Sequence, residues 1–181
     1  MELFEKTVKE TEIFKGHIIS VHVDDIVLED GRPAKREVVD HPGGVSVAVL
    51  SEDDQLFFVK QFRYPYKEVL LELPAGKLEK GEDPFEAAKR EQYEETGTTG
   101  KSYVSLGELY PTPGYCGEII RLWACRAETV GEASPDEGEF IETVKIPVDK
   151  AVEMVLSGEI KDAKTQVGIL KVAKLLELKK I

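Results

Sequence analysis

The 181-residue chain is long enough for one well-buried domain with a small appended one, and its 41% hydrophobic and 33% charged residues describe an ordinary globular protein. A formal net charge of −11 excludes a general nucleic-acid or membrane-surface binder, which needs basic patches. Its two cysteines, Cys116 and Cys125, have no metal-ligand company and imply neither a disulfide framework nor a zinc site, and no apolar run approaches the roughly 20 residues of a spanning helix.

The charged N-terminus lacks a signal-peptide core, so the expected location is cytoplasmic. Residues 1–42 read as a separate small β subdomain. Ile19, Val21 and Val23 alternate with polar residues, the pattern of a strand with one wet face. Asp30-Gly31-Arg32-Pro33 is a turn, and residues 36–39 return as a second strand. Two or three strands alone are marginal and leave an open edge, so this part is expected to pack on the main domain, a second subunit, or both. His17, His22 and His41 have no motif company and read as surface or satisfied structural residues.

The main domain is expected over residues 43–181. His41-Pro42-Gly43-Gly44 punctuates the passage into it, and residues 45–50 form a nearly continuous apolar run, as in a strand covered on both faces. Asp53-Asp54 is a turn, and residues 55–62 are predicted to be the partner strand of a hairpin. A further strand over 68–74 delivers the chain into a glycine-bearing loop. There Asp83 suits a helix N-cap, Pro84 the first helical position, Glu86 the capping-box position and Gly97 the left-handed stop. On this helix Glu91, Glu94 and Glu95 fall within about a 100° arc, beside a core-facing arc of Phe85, Ala88 and Gln92.

Three carboxylates on one face repel each other and cost stability unless something positive sits over them. Arg90 reaches Glu94 at the i, i+4 spacing; Glu91 and Glu95 have no cation at that spacing. A hard divalent cation such as Mg²⁺ takes oxygens from carboxylates, water and substrate phosphate, which is what the face offers. The bland alternative, a solvated acidic face, accounts for the glutamates but not for the glycine loop, Arg90 and Gly97 at their offsets.

That stretch resembles the Nudix box, G-x5-E-x7-R-E-U-x-E-E-x-G-U with U a bulky aliphatic residue. Gly76, Glu82, Arg90, Glu91, Glu94, Glu95 and Gly97 match its fixed positions in register. Both U positions depart, being Gln92 and Thr98, and a buried Gln92 amide requires hydrogen-bond partners. The resemblance implies an α/β/α sandwich with a mixed sheet for the main domain, preceded by the small antiparallel sheet. It implies Mg²⁺, with Mn²⁺ as a substitute, bound by Glu91, Glu95, Glu94 and the backbone carbonyl of Ala75. Glu95, Glu94 and Arg90 of the box become candidate catalytic residues, and Glu82 orients the loop.

Similarity to the ADP-ribose pyrophosphatase subgroup extends beyond the box. In Gln61-Phe62-Arg63, Arg63 becomes the candidate phosphate ligand, against the plainer reading of a solvated surface arginine. The loop 109–118 holds two prolines and two glycines and cannot be helix or central strand. Its Pro113 stands fifteen residues past the last box position, Thr98, as in that subgroup. Tyr115 is a candidate for stacking on a base, and Glu118 for bonding a ribose hydroxyl. A strand over 119–127 carries Trp123, read as a core residue.

In the acidic loop 134–140, Glu137 and Glu139 match the E-x-E of the relatives. Glu137 becomes the candidate base and Glu139 a metal ligand, with the order open to exchange. A strand over 141–146, a helix ending near Gly158 and a helix capped by Asp162 follow. The last presents Val167, Leu170, Ala173 and Leu176 to the core, and neither helix carries evident chemistry.

The implied reaction is hydrolysis of ADP-ribose to AMP and ribose 5-phosphate, by a homodimer joined through the N-terminal sheet. The alternatives are another nucleoside diphosphate derivative as substrate, or a non-catalytic sensor that binds ADP-ribose or a nucleotide.

Overall fold

A computed structural model describes residues 3–136 and 138–181. The chain forms two compact units, Met1–Gly43 with Tyr110–Ile119, and Gly44–Leu109 with Ile120–Ile181.

The first unit is built on the antiparallel sheet β1-β2-β3, with β1 Lys6–Lys15, β2 Ser20–Val27 and β3 Pro33–Asp40. β1 was not anticipated, and its burial explains why: all ten of its residues are exposed, so neither face imposes an apolar alternation. The loop Tyr110–Ile119 groups with this unit rather than with the second. It pairs there through the parallel bridge Val39↔Cys116, with the Val39 N–H donating to the Tyr115 carbonyl at 2.8 Å.

The second unit is a mixed sheet with helices on both faces. Strands β4 Gly44–Leu50, β5 Gln55–Arg63, β8 Thr98–Leu109, β9 Ile120–Val130 and β10 Ile141–Pro147 run in the order β10-β5-β4-β9-β8. β6 Glu68–Glu72 pairs with β5, and the short β7 Ala75–Lys77 with β4. β4 is central, pairs in parallel with β9, and is buried along its whole length, as its apolar run predicts. The expected β4–β5 hairpin is corrected: after the turn the two strands pair only at Leu50↔Leu56. β4 spends its ladder on β9 and β7 instead, while β5 turns to β6 and β10.

Helix α1 Pro84–Thr96 covers one face, where Ala87 and Ala88 pack on Val45, Val47, Val49 and Phe57. α2 Val148–Leu156 and α3 Ala163–Glu177 cover the other, over Leu50, Leu56, Phe58 and Leu122. Of the stripe read for α3, Val167, Ala173 and Leu176 pack against the core, and Leu170 is corrected to exposed. Thr165, Gly168, Ile169 and Val172 are buried, with Gly168 so close to Leu73 that a Cβ would stand 2.4 Å from Cδ1.

Candidate active site

The local sequence fixes α1 at both ends. Asp83 accepts from the N–H groups of Phe85 and Glu86 at 2.9 and 3.1 Å, and Pro84 opens the helix. The reciprocal half of the capping box does not form, because Glu86 turns outward to Lys89 at 2.7 Å. Gly97 closes the helix at φ 65°, in the left-handed region, with its N–H on the Tyr93 carbonyl. A side chain there would also strike the Gly131 carbonyl, 2.5 Å from the Cβ position.

The two departures from the aliphatic pattern satisfy each other. Gln92 is fully buried, its Nε2 donates to Thr98 Oγ1 at 3.0 Å, and its Oε1 accepts from the Tyr103 hydroxyl at 2.7 Å. Changing one alone would strand a buried polar group, which costs about 1–3 kcal/mol.

Arg90 holds the opposite face together. Its guanidinium donates to both oxygens of Glu82 at 2.9 and 3.1 Å, to Glu91 at 2.8 Å and to Glu94 at 2.9 Å. The pairing with Glu94 is the expected one; the arginine also reaches its neighbour Glu91, which helical spacing alone does not offer. Glu82 in turn accepts from the Glu79 N–H at 3.0 Å, so it ties the loop to the helix.

Glu95 is different. It is 3% exposed and accepts from the Ala75 N–H at 2.8 Å, with no cation bonded to it. Burial first, then the neighbouring charges of Glu91 and Glu139, push its carboxyl up to about 8, against the pull of the Ala75 amide. Burial also raises Glu91, with Arg90 opposing and Glu94 and Glu139 adding to the rise. Gly76 makes room for Glu91: a Cβ there would stand 1.9 Å from the Glu91 carboxyl group. The set is all oxygen and crowded, and Arg90 answers only part of its charge, which suits a hard divalent cation.

Residues 131–134 are pinned to the C-terminal turn of α1. Gly131 N–H donates to the Gly97 carbonyl and Ser134 N–H to the Glu94 carbonyl, both at 2.8 Å. From β10, Thr143 Oγ1 donates to the Glu95 carbonyl at 2.8 Å. These bonds satisfy carbonyls that a helix end leaves open. Glu139 is exposed and lies within the field of Glu91 and Glu95. Glu137 lies outside the described residues.

Arg63, at the end of β5, forks onto Glu72 at 2.6 and 2.7 Å. Glu72 is 1% exposed and also takes Lys164 Nζ from the first turn of α3. Burial would raise its carboxyl, but the Arg63 bonds and the two positive charges win and hold it at about 2. Neither Glu72 nor Lys164 was anticipated. Their signals were an acid ending the apolar run 69–71, and a lysine in register with the buried Gly168 and Val172.

Pro113, Tyr115 and Glu118 belong to the first unit; Pro113 and Tyr115 are exposed, and Glu118 Oε1 lies 3.5 Å from His41 Nδ1. Among the described residues, the one trio of His, Cys, Asp or Glu whose ligand atoms all lie within 4.8 Å is also there: Glu10, His22 and Asp24. His22 Nδ1 meets Asp24 at 2.7 Å, a satisfied structural pairing.

A NUDIX domain profile matches residues 40–166, and a profile described as the nucleoside diphosphate sugar hydrolase N-terminal domain matches residues 5–39. An ADP-ribose pyrophosphatase of Bacillus subtilis is 40% identical over 92% of this chain and 91% of its own. A methanol dehydrogenase activator of Bacillus methanolicus is 38% identical over 91% and 90%, and a GDP-mannose pyrophosphatase of Yersinia enterocolitica 33% identical over 78% and 80%. A box helix with its carboxylates gathered over Gly76, a profile match spanning most of the chain and relatives of nearly equal length lead to one conclusion: this chain belongs to the NUDIX family.

Proposed function

We propose that the chain hydrolyses the diphosphate of ADP-ribose to AMP and ribose 5-phosphate, with Mg²⁺ bound and Mn²⁺ able to replace it. The observation that carries this reading is the seating of the Glu91 carboxylate against the Gly76 backbone, with buried Glu95 bonded to the Ala75 N–H and, among the described residues, to no cation. Glu91, Glu95 and the Ala75 carbonyl would hold the ion, with Glu94 and Glu139 as further oxygen donors. Once bound, it supplies neutralisation of the diphosphate oxygens and acidification of water.

The chain's own residues supply the rest. Arg63 has one guanidinium edge committed to Glu72 and offers the other to phosphate oxygens. Arg90 is a positioning residue that holds Glu82, Glu91 and Glu94 in place. Glu137 takes the proton of the attacking water, with Glu139 as the alternative base. On the nucleoside side, the Tyr115 ring stacks on the base, Glu118 accepts from a ribose hydroxyl, and Pro113 shapes their loop. The exposed Val8, Ile13 and Phe14 of β1 support a homodimer formed through the N-terminal sheet. Free thiols at Cys116 and Cys125 support a reducing, cytoplasmic location.

Phosphorus NMR of an ADP-ribose digest in ¹⁸O-water tests this reading. The expected result is AMP and ribose 5-phosphate, one of them carrying the label, and no turnover after EDTA. Tight ADP-ribose binding with Mg²⁺ and no product would establish a sensor instead. The GDP-mannose pyrophosphatase relative supports a second reading, a nucleoside diphosphate sugar as substrate. A panel ranked by kcat/KM decides between the two.

A further inference from the structure

We propose that Lys164 is a positioning residue for substrate: through Glu72 it locks the Arg63 guanidinium in the orientation that meets the diphosphate. This rests on the assignment of Arg63 to phosphate binding made above.

The lock is built from three elements. Arg63 at the end of β5 commits Nε and one terminal nitrogen to Glu72, leaving its remaining N–H groups pointing elsewhere. Glu72, at the end of β6, is almost fully buried and receives Lys164 as a second cation. Lys164 is itself buried and also pairs with Asp162 at 3.0 Å, the residue whose side chain caps α3 on the Thr165 N–H.

Thr165 Oγ1 in turn accepts the Leu73 N–H at 2.8 Å, and Gly168 packs on the Leu73 side chain. The N-terminal half of α3 therefore grips Glu72, the last residue of β6, and Leu73 just beyond it, ahead of Pro74 and Ala75. Arg63 and Lys164 both lie within the electrostatic field of Glu95, so the lock adjoins the proposed cation pocket.

Physical chemistry argues that this lysine does more than stabilise the fold. Burying an ammonium is costly, and well-packed apolar residues commonly replace a buried ion pair without loss of stability. What an apolar residue could not do is keep Glu72 charged and in place as the anvil for the Arg63 fork. A guanidinium that rotates freely loses the pre-organisation that makes bidentate phosphate binding tight.

Lys164→Met removes the charge and keeps the stem; Lys164→Arg keeps the charge. For Lys164→Met, KM and the Kd of α,β-methylene ADP-ribose should rise about tenfold, with kcat within threefold of wild type. Lys164→Arg should recover most of that loss. In an Arg63→Met background, Lys164→Met should add less than a twofold change. An unchanged KM and Kd, or the same fold-loss in both backgrounds, would overturn the proposal. So would a loss that follows a lowered Tm and that Lys164→Arg does not rescue.

A readout without substrate separates this test from the function itself. The Arg63 Nε–H signal in ¹⁵N NMR, identified by its loss in Arg63→Lys, should be protected from exchange in wild type and in Lys164→Arg and lose protection in Lys164→Met. Should the wild type bind no nucleoside diphosphate, the functional reading falls, and an unchanged Arg63 signal in Lys164→Met would overturn the lock as well.

Discussion

Two carboxylates of the same unit, Glu72 at the end of β6 and Glu95 in the last turn of α1, are buried almost equally, at 1% and 3% exposure. They titrate at opposite extremes, about 2 and about 8. The difference lies in their company. Glu72 is bonded by an arginine fork and a lysine, while Glu95 is bonded by one backbone amide, lies among the negative charges of Glu91 and Glu139, and feels Lys164 only at a distance. A buried carboxylate bonded by cations belongs to the framework; one whose ionisation burial and like charges oppose is a candidate site for a cation, as proposed above.

Breaking the uncompensated side should have the largest effect on activity. Glu95→Gln or Glu91→Gln should lower kcat/KM on the order of 10³-fold, since several kcal/mol of charge stabilisation go with the ion. At neutral pH the metal-free Glu95→Gln protein should gain Tm, because the cost of ionising a buried carboxyl goes, while Glu91→Gln loses the charge on its Arg90 bond and should stay folded; circular dichroism on heating checks both. Breaking the compensated side should do the reverse. Glu72→Leu leaves Arg63 and Lys164 without their anion and should cost about 3 kcal/mol in denaturant unfolding, the usual range for a broken buried pair.

pH sharpens the same contrast, and the signs differ. The folded-state value of Glu95 lies above that of an unfolded glutamate, about 4.3, so the folded chain holds the proton longer. Stability of the metal-free protein should then fall as pH rises from about 4.3 to about 8, a limb that Glu95→Gln removes and a divalent ion suppresses. The folded-state value of Glu72 lies below the unfolded one. Its contribution is present above about 4.3 and should be lost as pH falls toward about 2. Urea midpoints across the range check both limbs. The smallest expected effect belongs to Thr143→Val, which cuts one bond from β10 to the Glu95 carbonyl. It should cost about 1 kcal/mol of stability, and a few-fold in kcat with KM unchanged.

The sequence made the uncompensated side legible and hid the compensated one, for a physical reason. Gly76, Arg90, Glu91, Glu94, Glu95 and Gly97 sit in one helix and its flanks, where spacing alone sets geometry. Asp83, Pro84 and Gly97 behave at the helix ends as local capping chemistry requires. Glu72 and Lys164 are separated by 92 residues, and only the packing of α3 on β6 brings them together. Strand β1 escaped because both its faces are wet. On α3 the apolar stripe was legible except at Leu170, and the close approach at Gly168 was not, because it is a contact with Leu73 from another part of the chain. The Gln92–Thr98 pair was half legible: the need for a partner could be read from Gln92, while the partner's identity needed β8 in place.

The most direct test of a cation pocket at Glu91 and Glu95 is calorimetric titration of Mg²⁺ at pH 7, with α,β-methylene ADP-ribose present, in two buffers of different ionisation heat. Wild type should bind the ion and release close to one proton, from a Glu95 that starts mostly protonated, whereas Glu95→Gln should bind far more weakly and release none. Equal Mg²⁺ affinity in wild type and Glu95→Gln, or binding without proton release, would contradict the account.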